Sequence, residues 1–309
     1  MASGSKKVIY AALAGNTLIA ITKFAAGGIT GSSAMISEGI HSLVDTGNQG
    51  LLLYGLRQAK KPADEKFPFG HGKEIYFWSF IVAILIFALG AGISIYEGIL
   101  HIFHPQPITN VFINYVVLGL AMVFEGAAWV FALKEFTKAK GKWGYIEAIQ
   151  RGKDPTMFVV LFEDSAAMLG LVIALAGILL GEITGILYFD GIASILIGLI
   201  LAGTAVWLAY ETKGLLIGES ANKKVVEGIR TIVLNAGPVD HVNEVLTMHM
   251  GPDYILVNIS VDFADSTVAE EIEKAIDKLD LEIKQQFPNV KRVFIEAEKR
   301  QKKNLNQGG

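Results

Sequence analysis

Lysine and arginine are missing from three long stretches of this chain, residues 24–56, 74–133 and 154–212, which hold 33, 60 and 59 residues. A membrane-spanning helix needs roughly 20 apolar residues, so each longer stretch is sized for a helical hairpin. The shorter one fits the end of one helix and the whole of the next. Spans are predicted near 8–28, 33–57, 74–103, 109–134, 156–181 and 189–212. Basic residues gather at Lys6 and Lys7, from Arg57 to Lys73, from Lys134 to Lys153, and from Lys213 onward. The turns near 29–32, 104–108 and 182–188 carry none. By the positive-inside rule this predicts a multi-pass membrane protein with six spans and both termini cytoplasmic. Lys23 is the misfit. It lies about 24 Å along the first helix from Lys7, and its expected place is the outer interface, with the ammonium snorkelling to water.

Composition supports a membrane domain followed by a soluble one. Hydrophobic residues make up 52% and charged residues 18%, more apolar and less charged than an ordinary soluble globule. The charge is sparse to about residue 217 and dense beyond it. The expected organisation is a six-span domain over 1–217, a cytoplasmic domain over 218–300 and a polar tail over 301–309. A formal net charge of −3 points away from nucleic acid, and zero cysteines exclude disulfides, thiolate metal sites and cysteine nucleophiles. The apolar run from Val8 continues without a small-residue cleavage site, so no secretory signal is expected.

The tail reads as a small α+β unit. Residues 221–235 have a helical pattern, a strand is expected near 240–250, and "YILVNISVDF" alternates Val257, Ile259 and Val261 with Asn258, Ser260 and Asp262. Val268, Ile272, Ile276, Leu279 and Ile283 fall at helical spacing, and "VKRVFIEAE" closes as a strand. The order helix, strand, strand, helix, strand predicts a ferredoxin-like domain.

Inside the second predicted span, "GIHSLVDTGNQG" places His41 and Asp45 one helical turn apart on one face. Ionisable groups within a membrane mark a pathway or a partner. Glu125, Glu163 and Asp164 also fall well inside predicted spans. Acids in such surroundings, with no arginine among them, call for protons or metal cations. Two carboxylates and a neutral imidazole carry −2, which cancels one divalent ion. Histidine suits zinc better than calcium or magnesium. Imidazole titrates near pH 6.5, so protons compete for such a site. The bland alternative is that these polar groups only bond neighbouring helices. Glu125 has open readings as a proton relay or as a partner of Lys23 or of a helix end. Asp190 is expected to cap the sixth helix, and His101 and His104 to sit at the interface.

Taken together, "SSAMISEGIHSLVDTGNQ", "FGHGK", "EDSAAMLG" and "DGIASILIGLIL" are similar to the cation diffusion facilitator family. "EDSAA", "TMHMGP" and "FIEAE" resemble the branch that includes a mitochondrial zinc transporter. The resemblance covers nearly the whole chain. It implies efflux of a divalent metal cation, zinc first, by proton-coupled antiport with alternating access, in a homodimer within the lipid bilayer. The metal is then cargo, with no cofactor and no enzymatic activity. The family's second-span ligands fall on His41 and Asp45. Its fifth-span pair falls on Val160 and Asp164, counting back from Gly170, and valine cannot bind metal. The resemblance therefore implies three matching ligands. Water or Glu163 completes the site, with Glu163 favoured as an outer-shell partner. Asn16 and Asn48 are further outer-shell candidates. In the loop "ADEKFPFGHGKE", Phe67 stands where zinc-transporting relatives place a histidine, so His71 with Asp64 or Glu65 is expected to form no tight site. Glu296 and Glu298, with only His241 and His249 in the tail domain, predict weak metal binding there.

An intramembrane metalloenzyme is disfavoured, because "HSLVD" lacks the His-Glu-x-x-His arrangement. The remaining alternative is a non-transporting membrane scaffold or regulator with an incomplete metal site.

Overall fold

A computed structural model describes residues 3–300 apart from 142, 146–147 and 149–154. The 301–309 tail and Lys153 lie outside the described residues. The chain divides into two compact units, one of residues 1–58 and 74–213, the other of residues 59–73 and 214–309.

The first unit is built of long helices: α1 (Ser3–Thr30), α2 (Ser33–Ala59), α3 (Glu74–Phe103), α4 (Val111–Lys140), α5 (Pro155–Thr184) and α6 (Tyr188–Ile217). Among the described residues, four of them, α3 to α6, are long and apolar enough to cross a membrane by length and composition. α1 and α2 run 28 and 27 residues, about 40 Å at 1.5 Å per residue. Both are long enough, and α2 is less apolar than α3 to α6. In α2 the reason is a stripe of Ser33, Ser37, Glu38, His41, Ser42, Asp45 and Asn48, recurring every three or four residues along one face.

Two features make the α1–α2 connection short. Gly31 adopts φ +77°, and its N–H bonds Gly27 O at 2.8 Å, the left-handed glycine stop that ends a helix without a Cβ penalty. α3 and α6 cross at backbone contact. A Cβ on Gly98 would stand 2.6 Å from Gly191 O, and one on Gly198 would stand 3.0 Å from Ala91 O, the close approach that small residues permit. α3 also contains a π-helical turn over Ile86–Ala91. The apolar core runs between the helices through Met35, Val82, Leu118, Val159, Leu171, Ile197 and Leu208.

The second unit contains α7 (Lys223–Leu234), β1 (Val239–Gly251), β2 (Tyr254–Phe263), α8 (Ala269–Gln286) and β3 (Val290–Ala297). The sheet order is β1-β2-β3, with β2 antiparallel to β1 and parallel to β3. Val257 pairs with Thr247 and Val293, and Ile259 with Val245 and Ile295. The alternation seen in the sequence has its physical counterpart here: Val257, Ile259 and Val261 are fully buried against Ile229, Val233, Leu279 and Ile283. Val268 departs from its predicted place on the buried helix face. It is the residue before α8 and is exposed.

In the 59–73 segment, Asp64 Oδ2 lies 2.9 Å from His71 Nε2, and Asp64 Oδ1 accepts from Phe67 N at 2.7 Å. The Phe67 and His71 rings lie against each other, 4.6 Å between centroids. The hydrogen bond from His71, followed by that from the Phe67 backbone, holds the Asp64 carboxyl below its ordinary range.

Candidate cation site

The buried polar stripe of α2 brings His41 Nε2 to within 3.3 Å of Asp45 Oδ2. The 3.6-residue period makes this contact local, since i and i+4 share a face. His41 is buried and Asp45 nearly so. Among the described residues, His41 Nδ1 and Asp45 Oδ1 have no hydrogen-bond partner. A neutral imidazole nitrogen and a carboxylate oxygen left free in this way are donor atoms for a cation.

α5 contributes the facing groups. Glu163 is buried, and its Oε1 accepts a hydrogen bond from Asn48 Nδ2 at 2.7 Å. Asp164, next along the helix, is half-buried. Val160 packs against the apolar core. Asn16 on α1 is half-buried and makes no side-chain hydrogen bond among the described residues. The structure therefore pairs His41 with Asp45, and Asn48 with Glu163. It does not draw His41, Asp45 and Asp164 to a common point: among the described residues, no three His, Asp or Glu side chains converge as metal ligands do. Convergence would set carboxylate charges side by side, which needs a cation between them.

Beside this pair lies a group that sequence reasoning misplaced. Lys23 does not reach for an interface; it is completely buried. Its Nζ donates to Glu125 Oε1 at 2.7 Å, to Ser42 Oγ at 2.9 Å and to Glu38 Oε2 at 3.0 Å. Three acceptors satisfy the three ammonium donors, and two carboxylates supply the counter-charge that burial requires. Of the open readings for Glu125, pairing with Lys23 is the one observed. Glu38 was overlooked, although it precedes Ser42 by one turn on the same polar stripe. Its Oε1 abuts Gly170 of α5, so closely that a Cβ there would overlap it.

Asp190 also differs from expectation. It is the third residue of α6 and serves the start of α2 instead. Its Oδ1 accepts from Ser32 Oγ at 2.5 Å, and its Oδ2 from Ser33 N at 2.5 Å and Ser33 Oγ at 2.8 Å. A carboxylate placed there satisfies free N–H groups and complements the helix dipole. His101 of α3 is buried rather than interfacial, with Nε2 3.7 Å from Asp190 Oδ2, whereas His104 is exposed. Nearby, the hydroxyls of Ser37 and Ser194 are in short contact, and Ser194 Oγ donates to Ser33 O at 3.2 Å.

Residues 9–217 match the model of the cation efflux transmembrane domain. This chain belongs to the cation efflux family. Several relatives are named as zinc antiporters or metal tolerance proteins. The chain is 31% identical over 332 residues to the mitochondrial proton-coupled zinc antiporter SLC30A9 of Xenopus laevis, covering 95% of this chain and 59% of the relative. To the human protein of the same name it is 34% identical over 263 residues, covering 84% and 46%. To metal tolerance protein C4 of Arabidopsis thaliana it is 31% identical over 272 residues, covering 87% and 60%. The chain thus spans about half the length of the curated relatives it matches.

Proposed function

We propose that this cation efflux protein exports a divalent cation, zinc first, in exchange for protons. The cargo binds between α2 and α5, at His41, Asp45 and Asp164, with water completing the shell and Glu163 orienting it from outside. The observation that carries the reading is the buried His41–Asp45 pair, 3.3 Å apart, with one free donor atom on each side chain. A nitrogen and carboxylate set of charge −2 matches one zinc ion. Protons arriving at the same donors displace it, which couples the two flows. Asn48 fixes Glu163 in the orientation an outer-shell carboxylate needs.

In this reading all of α1 to α6 cross the bilayer, both termini face the cytoplasm, and the site lies midway and opens alternately to either side. Residues 1–217 form the transport domain and 218–300 a cytoplasmic ferredoxin-like domain that pairs two copies. The two helices and three strands of the second unit, with β2 parallel to β3, support that assignment. The relatives named as proton-coupled zinc antiporters support the cargo and the exchange.

Val160 favours one second reading, a scaffold or regulator whose incomplete site holds no cargo. Flux separates the two. Purified protein in sealed vesicles, loaded with a zinc-sensitive dye and given a pH gradient, is expected to move zinc, and Asp45→Ala to stop it. Wild-type flux no faster than that of Asp45→Ala overturns the transport reading.

A further inference from the structure

We propose that Glu38, Ser42 and Glu125 form a second cation site, suited to an oxygen-ligated divalent ion, and that Lys23 is its tethered occupant. The three oxygens surround the Lys23 nitrogen at 2.7–3.0 Å. They come from α2 and α4, whereas the lysine comes from α1, so the donors and the cation that holds them together belong to different helices. The second oxygens of the two carboxylates, Glu38 Oε1, which lies against Gly170, and Glu125 Oε2, are buried and have no hydrogen-bond partner among the described residues. Glu38 is itself completely buried, so its free oxygen has no access to bulk water.

Charge and donor type identify what the cage would take. Two carboxylates carry −2, and the ammonium leaves −1, whereas a divalent ion would leave the cluster neutral. Donors that are all oxygen select manganese, magnesium or calcium over zinc. Such ions sit about 2.0–2.6 Å from their ligands, so the shell has to contract by well under the length of a side chain.

The arrangement explains why a transporter would spend a buried lysine here. Glu38 and Ser42 flank His41 on the same helix. An open two-carboxylate cage within a turn of the cargo site would be a stopping place for ions in transit. The tethered ammonium closes it, and so restricts the pathway to one divalent ion and denies a hard-cation site beside a zinc-type one. Lys23 is therefore a specificity-determining residue that acts by occupancy.

The test counts manganese on the full-length protein, purified metal-free in detergent and titrated with manganese chloride, by equilibrium dialysis and electron paramagnetic resonance. Lys23→Met is expected to bind one more manganese ion than wild type. Lys23→Met combined with Glu125→Gln is expected to lose it again, and Lys23→Arg to match wild type. Manganese should also raise the melting temperature of Lys23→Met more than that of wild type, because an ion bound only by the folded state stabilises it. Equal counts for wild type and Lys23→Met overturn the proposal, as does an extra ion that survives Glu125→Gln. Recovery of Lys23→Met only as aggregate, with and without manganese, also counts against it, since the ion would supply the missing charge. The readout is a difference from wild type, so it is separate from the cargo reading. Asp45→Ala lowers both counts alike if His41 and Asp45 bind manganese, and neither if they do not.

Discussion

The Asp190 carboxylate on α6 lies 2.5 Å from the backbone nitrogen of Ser33, at the first residue of α2. The residues are 157 apart in sequence, yet the contact does what an N-cap side chain does locally. Together with the Ser32 and Ser33 hydroxyl bonds it ties the helix that carries His41 and Asp45 to a helix that carries neither.

Asp190→Ala removes this cap and leaves buried N–H and O–H donors unpaired. The expected loss of stability is about 1–3 kcal/mol. Asp190→Asn retains an acceptor and is expected to lose less. Thermal unfolding in detergent, followed by circular dichroism, checks the order wild type, Asn, Ala. Equal melting of Asp190→Ala and wild type would contradict the capping role.

Asp45→Ala and Asp164→Ala are each expected to abolish zinc flux in sealed vesicles, because each deletes a proposed ligand. Glu163→Gln keeps the hydrogen bond from Asn48 while removing charge, and is expected to weaken zinc affinity about 10–100-fold, the usual cost of an altered outer-shell partner. Isothermal titration with zinc measures it. Complete loss of binding in Glu163→Gln, with the fold intact, would make Glu163 a direct ligand.

Gly170 is where α5 passes Glu38 with no room for a side chain. Gly170→Ala forces either the carboxylate or the helix to move, and overpacking of this kind costs about 1–3 kcal/mol. Since Glu38 is bonded to Lys23, the displacement is expected to disturb that cluster as well. A Gly170→Ala variant that melts like wild type would show the contact to be readily relieved.

The loop at 64–71 gives a pH prediction with a definite sign. Asp64 is held below its ordinary range by the bond with His71, so its contribution to loop order is present above the unfolded carboxyl value. It is lost as pH falls through the depressed folded value. His71→Ala is expected to move the Asp64 titration upward toward about 3.9. Carboxyl carbon shifts in a labelled sample, followed from neutral to acidic pH, report both values. An unchanged Asp64 titration would show that His71 is not the cause.

What was legible in the sequence follows from periodicity and from the cost of burying charge. The Lys/Arg-free stretches marked the long helices, since a basic group within an apolar helix needs a partner. The two-residue alternation at Val257, Ile259 and Val261 marked the central strand, because alternate side chains face one core. His41 and Asp45 were readable as a pair because i and i+4 meet on any helix. Contacts between distant helices were not readable in that way. Lys23 looked like a lysine at an interface, since sequence contains its length and charge but not the two carboxylates folded around it. Asp190 looked like the cap of its own helix, since its residue type suits a cap and nothing local names which one. Glu38 went unnoticed because its meaning depends on Lys23, 15 residues away, and on the bare backbone of Gly170. Short-range periodicity is written along the chain, whereas the partner of a buried charge is chosen by packing, and only the tertiary structure supplies it.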